Sequence, residues 1–198
     1  MKSTSTVEEQ HAEIKENFTK LSESIGRFII SFENLLAIMK HGIALLYSRH
    51  GMNNQDVVDV MVAEMTADPL LKKFDGLIAV TFIEEMKDPE TKKRLNDIYI
   101  EIDEAIKFRN KLAHAHWHIS QSIDVNTDEL SKPYLVSKSQ KLKRTVGLVD
   151  NFPNADFNIT EQLNSRSELN YKLSDRLYEI VINIRERAPL KKKWFQSL

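Results

Sequence analysis

The scarcity of chain-breaking residues constrains the fold of this sequence more than any other feature. The 198 residues include only five glycines and five prolines. A fold with many tight turns needs more of both, because glycine supplies positive φ angles and proline fixes turn geometry. The sequence therefore predicts long helices, and its 41% of hydrophobic residues suffices for a core. A chain of this length suits one domain, predicted here over 1–198.

Apolar residues recur at steps of three and four through the first fifty residues, which indicates one long amphipathic helix. Overlapping capping boxes begin at Ser5 and Thr6 and predict where this helix starts. Gly26 is a candidate bend or break within it. Gly51 is a candidate C-terminal cap, because glycine readily adopts the left-handed conformation that ends many helices.

Residues that favour helix N-termini predict where the next three helices begin. Asn53–Asn54 precedes the second helix, Asp68–Pro69 opens the third and Asp88–Pro89 opens the fourth. In both Asp-Pro pairs the aspartate is predicted as the N-cap and the proline as the first helical residue. The fourth helix is predicted to run over about 90–116.

The pattern changes after Trp117, where polar residues alternate with β-branched and aromatic ones. This alternation predicts a β-hairpin or extended arm over about 117–150. A last helix is predicted over about 160–187, followed by a basic tail over 189–198. The predicted apolar stripe of this last helix consists of Leu163, Leu169, Leu173, Leu177, Ile180, Val181 and Ile184. We therefore predict an all-α fold, an up-and-down bundle of four to five helices with the arm inserted before the last helix.

Composition excludes several classes of protein. The net charge of −1 makes the chain no polycation, so nucleic-acid binding would need a local basic patch. The absence of cysteine excludes disulfides, thiolate zinc sites and a cysteine nucleophile. The N-terminus lacks the apolar region of a secretory signal, and no uninterrupted apolar run approaches the ~18 residues that span a bilayer. We expect a soluble, cytoplasmic protein without a membrane partner.

An arginine lies in phase with the predicted core stripe of the fourth helix. Ile98, Ile102, Ala105, Arg109 and Leu112 follow steps of four, three, four and three. Side chains at this spacing share one helix face, and the apolar members indicate that the face points inward. A guanidinium there is costly unless its charge meets a partner or a groove. Arg109 is therefore a candidate for a functional group.

A histidine follows Arg109 near the predicted end of the same helix. Asn110 and His114 are four residues apart, so they are neighbours on the helix surface and Asn110 could orient the imidazole. The helix dipole is expected to favour a positively charged side chain at this end. Such an imidazole can transfer a proton, while a guanidinium can bind a phosphoryl group through two donors. RNA suits this pair, because its 2′-hydroxyl supplies an internal nucleophile and no metal is needed.

The segment Arg109-Asn110-Lys111-Leu112-Ala113-His114 resembles the motif of the HEPN superfamily, the higher eukaryotes and prokaryotes nucleotide-binding domains. That motif is an arginine, four to six residues and a histidine, often with a polar residue directly after the arginine. Its position late in a long helix of an all-α bundle also resembles the family arrangement. The resemblance covers the fourth helix and, more loosely, the helical frame, but it does not extend to the arm over 117–150.

The resemblance implies a metal-independent endoribonuclease that cleaves RNA through a 2′,3′-cyclic phosphate without a cofactor. It also implies a homodimer that brings two motifs into one cleft, a role in toxin–antitoxin or antiviral systems, and an inhibitory partner protein. In this reading Arg109 stabilises the scissile phosphate, His114 is the general acid and base, and Asn110 orients them. Some members of the superfamily lack nuclease activity. A non-catalytic module that binds nucleotide, RNA or protein is therefore the main alternative.

Other interpretations of the same residues remain open. Arg109 could form a structural ion pair, for example with Glu33, and His114 could cap the helix or lie in an interface. His116 is a reserve candidate for the base, because a longer helix would return it to the face of Arg109. The alternating trio His114, His116 and His118 could bind zinc in a strand, but in a helix the first two lie ~160° apart, so no metal is expected. A bundle that only supports oligomerisation is a further alternative.

Basic residues near the motif and in the arm are the candidate RNA-backbone contacts. These are Lys111, Lys141, Lys143 and Arg144. Lysine and arginine neutralise phosphates along a nucleic-acid backbone. The alternative is a solvated face, since lysine on an edge strand also blocks unwanted strand pairing.

Overall fold

A computed structural model describes residues 7–52, 54–120, 134–143, 147–150 and 159–186. Its helices are α1 (Val7–Arg49), α2 (Gln55–Ala63), α3 (Ala67–Thr81), α4 (Pro89–Ala113) and α5 (Ile159–Arg185), with a short 3-10 helix at Glu85–Lys87. The predicted all-α class is thus confirmed, and the chain forms a helical bundle. The capping boxes at Ser5 and Thr6 lie outside the described residues, as does the tail over 189–198.

The helix ends follow local capping chemistry, with one exception. Asn54 caps α2 by accepting a hydrogen bond from the Val57 N–H at 3.3 Å. Asp88 caps α4, since its carboxylate accepts from the Thr91 N–H at 3.1 Å and the Thr91 hydroxyl at 2.8 Å. These two predictions are confirmed. Both contacts satisfy backbone or hydroxyl donors that the first helical turn would otherwise leave without a partner.

The predicted start of α3 is wrong by two residues. Thr66 is the N-cap, and Asp68 lies inside the first turn, where it pairs with Lys72 at 2.8 Å. Pro69 is then the third helical residue. This position tolerates proline because the first-turn N–H groups have no acceptor within the helix. The helix therefore has two more residues at its start, Ala67 and Asp68, than the Asp-Pro rule predicts.

Two glycines of the first helix behave differently from each other. α1 runs from Val7 to Arg49 without interruption at Gly26, so the candidate break is absent. Gly51 has a φ of 91°, and the chain turns there after α1, as predicted. A positive φ is strained for residues with a Cβ atom, which explains a glycine at this turn.

The described residues group into two compact units, to which α1, α4 and α5 each contribute. The first unit comprises Met1–Phe28 and Arg109–Ser165, and the second comprises Ile29–Phe108 and Arg166–Leu198. The predicted single domain over 1–198 stays a prediction. Because the proposed motif begins at Arg109, it belongs to the first unit, whereas most of the apolar core belongs to the second.

The second unit holds a large apolar core drawn from all five helices. Its fully buried side chains include Phe32, Leu35 and Met39 of α1. The inward face predicted for α4 is confirmed for its apolar members, since Ile98 and Ile102 are buried. Burial of such side chains is the main favourable term in folding, at about 25 cal/mol per Å² of apolar surface. This unit therefore supplies much of the driving force for the fold.

The predicted stripe of α5 contains one error. Leu169 is 45% exposed, although the other six predicted members of the stripe are buried. Ser167 and Asn170 take the inward positions instead, and the Asn170 side-chain amide donates to the Ser31 hydroxyl at 3.1 Å. A buried polar pair of this kind is tolerated because each member satisfies the other. Leu169 therefore lies outside the buried face of α5.

Three short strands lie between α4 and α5, and they belong to the first unit. They are β1 (Ala115–Ser120), β2 (Tyr134–Lys143) and β3 (Gly147–Asp150), paired antiparallel in that order. Trp117 pairs with Ser137, and Lys141 with Val149. The segments 121–133 and 144–146, which would connect the strands, lie outside the described residues. The predicted hairpin therefore stays a prediction and does not alter the all-α class.

Among the described residues, one helix is long and apolar enough to cross a membrane by length and composition. It is the His11–Arg49 part of α1, and 44% of its most apolar window is buried within the protein. A core helix of a bundle passes the same test. The expected cytoplasmic location and the expected lack of a membrane partner stay predictions.

An ion pair joins α4 to α5 in the second unit. Arg176 donates to both oxygens of Glu101, at 2.8 and 3.0 Å, and the Arg176 side chain is only 25% exposed.

We expect Glu101→Gln to lower the free energy of unfolding by about 1 kcal/mol, because a two-pronged, partly buried pair is less screened than a surface pair. Urea denaturation measures this. The matched control is Glu16→Gln, which removes the exposed Glu16–Lys20 pair of α1 and should leave the urea midpoint unchanged. Equal effects in both variants would contradict the expectation.

Candidate functional site

The predicted motif occupies the C-terminal end of α4. Arg109 to Ala113 are the last five residues of the helix, and His114 is the first residue beyond it. The His114 N–H still donates to the Asn110 carbonyl at 3.2 Å, which is the helical hydrogen-bond pattern. The helix ends before the predicted boundary at His116, because strand β1 begins at Ala115. The motif therefore marks the change from helix to strand.

Arg109 is half-buried, between the fully buried stripe and the solvated face of α4. Leu112, the next member of its predicted face, is buried. The Arg109 Nη1 donates to the Asn110 side-chain oxygen at 3.4 Å, a long and therefore weak hydrogen bond. Among the described residues of the first unit, no carboxylate forms an ion pair with Arg109. The alternative ion pair with Glu33, a residue of the second unit, stays a prediction.

Asn110 contacts both members of the predicted pair, but not in the way the spacing predicts. Its side-chain oxygen accepts from Arg109, and its backbone carbonyl accepts from the His114 N–H. The predicted role was to orient the imidazole through the four-residue spacing. The Asn110 side chain can reach Arg109, at the adjacent position, or His114, one turn away. Its rotamer decides between them, and residue spacing does not determine the rotamer. Asn110 and His114 are both exposed.

The angular separation of Arg109 and His114 limits what one copy of the motif can do. Five residues at about 100° each place the two positions ~140° apart around the helix axis. The direction of the His114 side chain then depends on how the chain leaves the helix. Because Arg109 and His114 start from different sides of the helix end, their spacing alone does not bring the two side chains together.

The cations near the motif differ in how far they are neutralised. Lys107, one turn before Lys111, pairs with Asp103 at 2.5 Å, and the hydrogen bond to that carboxylate raises the pKa of Lys107. Lys111 is exposed and has no acidic partner among the described residues of the first unit. Lys111 therefore retains the positive charge that a phosphate contact requires.

The other predicted site residues fall in or beside the strands. His116 lies in β1, where its Cα pairs with that of Lys138, so helical continuation does not return it to the face of Arg109. The side chains of His116, Lys141 and Lys143 lie outside the described residues, and so does Arg144. Their predicted roles stay predictions. Within the part of the chain that is described, no three histidine, aspartate or glutamate side chains group as a metal site would require.

A second polar group was missed by the sequence analysis. Asp75 of α3 lies on the wall of a shallow cleft of the second unit, which otherwise has mainly apolar walls with Tyr99 as a further polar residue. The cleft is lined by Leu71, Phe74, Ile78, Leu95, Ile98, Ile102, Leu177 and Ile180. Asp75 follows Leu71 by four residues and precedes Ile78 by three. Its phase with the core stripe is the same signal that identified Arg109, and it could have revealed this carboxylate.

Asp75 should make the protein more stable in mild acid. Desolvation by the surrounding residues raises the pKa of Asp75 above its ordinary value of 3.8, although the side chain remains exposed, so we expect a small effect. The folded state binds this proton more tightly than the unfolded state, so stability rises as the pH falls through the raised pKa toward 3.8. Asp75→Asn should therefore stabilise at pH 7, by about 0.5 kcal/mol or less, and remove this gain on acidification. Urea midpoints at neutral and mildly acidic pH test this, and a loss of stability at pH 7 would contradict it.

Comparison of the chain with protein-family models, with curated proteins and with solved structures gives no match. The fold and the chemistry of the α4 terminus therefore carry the functional argument by themselves.

Proposed function

We propose that this protein is a metal-independent endoribonuclease of the HEPN type, which cleaves RNA at a site composed from two copies of the chain. The observation that carries the proposal is the state of Arg109. Its guanidinium is half-buried and bonds to the neutral Asn110 amide, with no carboxylate of the described first unit to neutralise it. A half-buried guanidinium that no carboxylate of the described first unit neutralises is suited to bind a phosphate.

His114 supplies the proton-transfer group in this proposal. It is exposed and lies directly after the helix end, where an RNA strand can reach it. As general base it takes the proton of the 2′-hydroxyl, whose oxygen attacks the adjacent phosphorus. The bond from phosphorus to the 5′-oxygen breaks, and an imidazolium protonates that leaving oxygen. The products are a 2′,3′-cyclic phosphate and a 5′-hydroxyl. Arg109 stabilises the charge that gathers on the phosphoryl oxygens.

A composite site explains why two copies would be needed. Attack and departure occur on opposite sides of the phosphorus, so the reaction uses a base on one side and an acid on the other. One motif offers a single His114, about 140° around the axis from Arg109. Two motifs offer two imidazoles and two guanidiniums, and the exposed Lys111 adds a contact to the RNA backbone. We include a homodimer, a cytoplasmic role in toxin or antiviral defence, and an inhibitory partner protein in this proposal, on the resemblance of the motif.

The second candidate is a non-catalytic module that binds nucleotide, RNA or a protein partner through Arg109. One observation favours it: the Asn110 side-chain oxygen accepts from Arg109, so Asn110 helps to hold the cation that such a module needs. A module of this kind binds its ligand without turnover. It needs the positive charge of Arg109 but not the proton transfer of His114.

The test is RNA cleavage by the purified full chain in the presence of EDTA. We expect fragments that end in a 2′,3′-cyclic phosphate, identified by mass spectrometry. Binding of RNA without fragments would support the module. Neither binding nor cleavage across a panel of structured and unstructured RNAs would overturn both candidates. Activity that requires a divalent metal would overturn the metal-independent mechanism.

A further inference from the structure

Helix α2 exposes more apolar surface than its packing requires. Val58 and Val62 are buried in the second unit, at 1% and 3% exposure. Val57, Val60 and Met61 are 46%, 75% and 41% exposed. We call these three residues the α2 surface. Valine is a weak helix former because its branched side chain loses rotamer freedom, so helix propensity does not account for valines on a solvated face.

The exposed residues form one continuous stripe. At about 100° per residue, Val57, Val60 and Met61 fall within an arc of ~100°. That arc adjoins the buried arc of Val58 and Val62, so the apolar sector of α2 is ~200° wide. A helix that packs on one core normally carries a polar outer face. A second apolar face of this width indicates a second packing partner.

The charges around the α2 surface are acidic. Asp56 and Glu64 are exposed on and next to α2, and no lysine or arginine occurs over 54–64. Lys40 approaches from α1, but its Nζ lies 3.5 Å from the Ala63 carbonyl, at the C-terminal end of the helix. The apolar stripe is therefore bordered mainly by carboxylates. Carboxylates of two copies would repel one another across a self-paired interface, whereas a cationic partner would neutralise them.

We propose that the α2 surface binds a cationic amphipathic helix of another protein. The partner helix would place apolar residues at steps of three and four against Val57, Val60 and Met61. Its lysines or arginines would lie over Asp56 and Glu64. This is the helix-in-groove mode of recognition, in which apolar contacts give affinity and charges give orientation. The inference does not depend on the proposed nuclease activity, because the motif at the end of α4 plays no part in it.

The experiment uses a labelled helical peptide of about 16 residues, with leucines at steps of three and four and lysines elsewhere. Two control peptides have glutamate in place of lysine, or the same composition in scrambled order. Fluorescence anisotropy measures binding to the full chain. We expect the cationic amphipathic peptide to bind at least about tenfold more tightly than either control.

Matched variants locate the binding to the α2 surface. Val60→Ser should weaken binding at least about fivefold, and Asp56→Asn should weaken it at low salt only. Ile30→Ser is the control, because Ile30 of α1 is 65% exposed outside this surface and should change binding less than about twofold. Circular dichroism and urea midpoints verify that each variant folds.

Several outcomes would overturn the proposal. These are equal binding of the scrambled or acidic peptide, equal losses for Val60→Ser and Ile30→Ser, and no binding at about 1 mM peptide. Sedimentation that shows a dimer dissociated by Val60→Ser would assign the α2 surface to a second copy of the chain instead.

Discussion

Replacement of Arg109 by alanine is expected to lower the rate of RNA cleavage by about 10³-fold. Donors that stabilise developing charge typically contribute effects of this size. Arg109→Lys should recover only part of the rate, because an ammonium cannot offer the planar pair of donors that a guanidinium offers to a phosphate. Since Arg109 is half-buried and has no carboxylate partner in the described first unit, its removal leaves no buried negative charge behind. The fold should therefore persist.

Replacement of His114 belongs to the same test. His114→Ala should lower the rate by about 10²- to 10⁴-fold, as the loss of a general acid or base does. Because His114 is exposed, RNA binding should change little. His116→Ala should leave most activity, since the helical path that would bring His116 to the face of Arg109 ends at Ala113. A larger loss of activity for His116→Ala than for His114→Ala would indicate that His116 of β1 is the general base.

The control for charge is Lys93→Ala, which removes another exposed cation of α4 about four turns away from Arg109. It should change the rate less than about twofold, if the effect of Arg109 is local. Single-turnover rates with one labelled RNA, together with far-UV circular dichroism, separate catalysis from unfolding. Cleavage that survives in both Arg109→Ala and His114→Ala would show that residues outside the motif carry out the catalysis.

Gly42→Ala should destabilise the protein, although alanine usually stabilises a helix. A Cβ atom at Gly42 would lie 2.6 Å from Cε2 of Phe74 and 3.0 Å from Cγ2 of Val181. Phe74 is only 5% exposed, so its ring has little room to move away. Overpacking of a core costs about 1–3 kcal/mol, which exceeds the gain of ~1 kcal/mol in helix propensity. We therefore expect Gly42→Ala to have a lower urea midpoint than the unsubstituted protein.

Gly26→Ala is the matched control in the same helix. Nothing lies within 4 Å of a Cβ atom at Gly26, so the substitution should stabilise by about 0.5–1 kcal/mol. The double variant Gly42→Ala with Phe74→Leu should lose less stability than the sum of the two single variants, because a smaller side chain relieves the contact. Stabilisation by Gly42→Ala equal to that by Gly26→Ala would show that the close approach is absent.

The sequence determined the helices better than their exact ends. Periodicity predicted the inward face of α4, because apolar residues at steps of three and four can be buried on one side only. Asp88 capped α4 as expected, whereas Asp68 did not cap α3. Both are Asp-Pro pairs, so the dipeptide alone does not distinguish the N-cap Asp88 from Asp68, which lies in the first turn and pairs with Lys72. Local rules do not contain that information.

The position of residues 109–113 late in α4 was predictable, whereas the contacts of their side chains were not. The helical phase indicated that Arg109 is partly buried, and the structure has it half-buried. The end of α4 at Ala113 was not predictable, because strand pairing of β1 competes with continuation of the helix. The Asn110 side-chain oxygen accepts from Arg109, a contact that the spacing did not predict, and the predicted contact of Asn110 with the His114 imidazole stays a prediction. Two residues within reach of one amide are distinguished only by rotamer geometry.

The hydrogen bond from Asn170 to Ser31 determines how α5 is aligned along α1. If α5 slid by one turn along α1, the Asn170 amide would face an apolar side chain and lose its acceptor. A buried polar group without a partner costs about 1–3 kcal/mol, whereas apolar side chains shifted by a turn still find apolar neighbours. Apolar packing alone would thus admit several alignments of α5 with nearly equal energies. The Asn170 amide and the Ser31 hydroxyl therefore select a single alignment of α5. In the sequence, Asn170 is a polar residue that interrupts the apolar stripe.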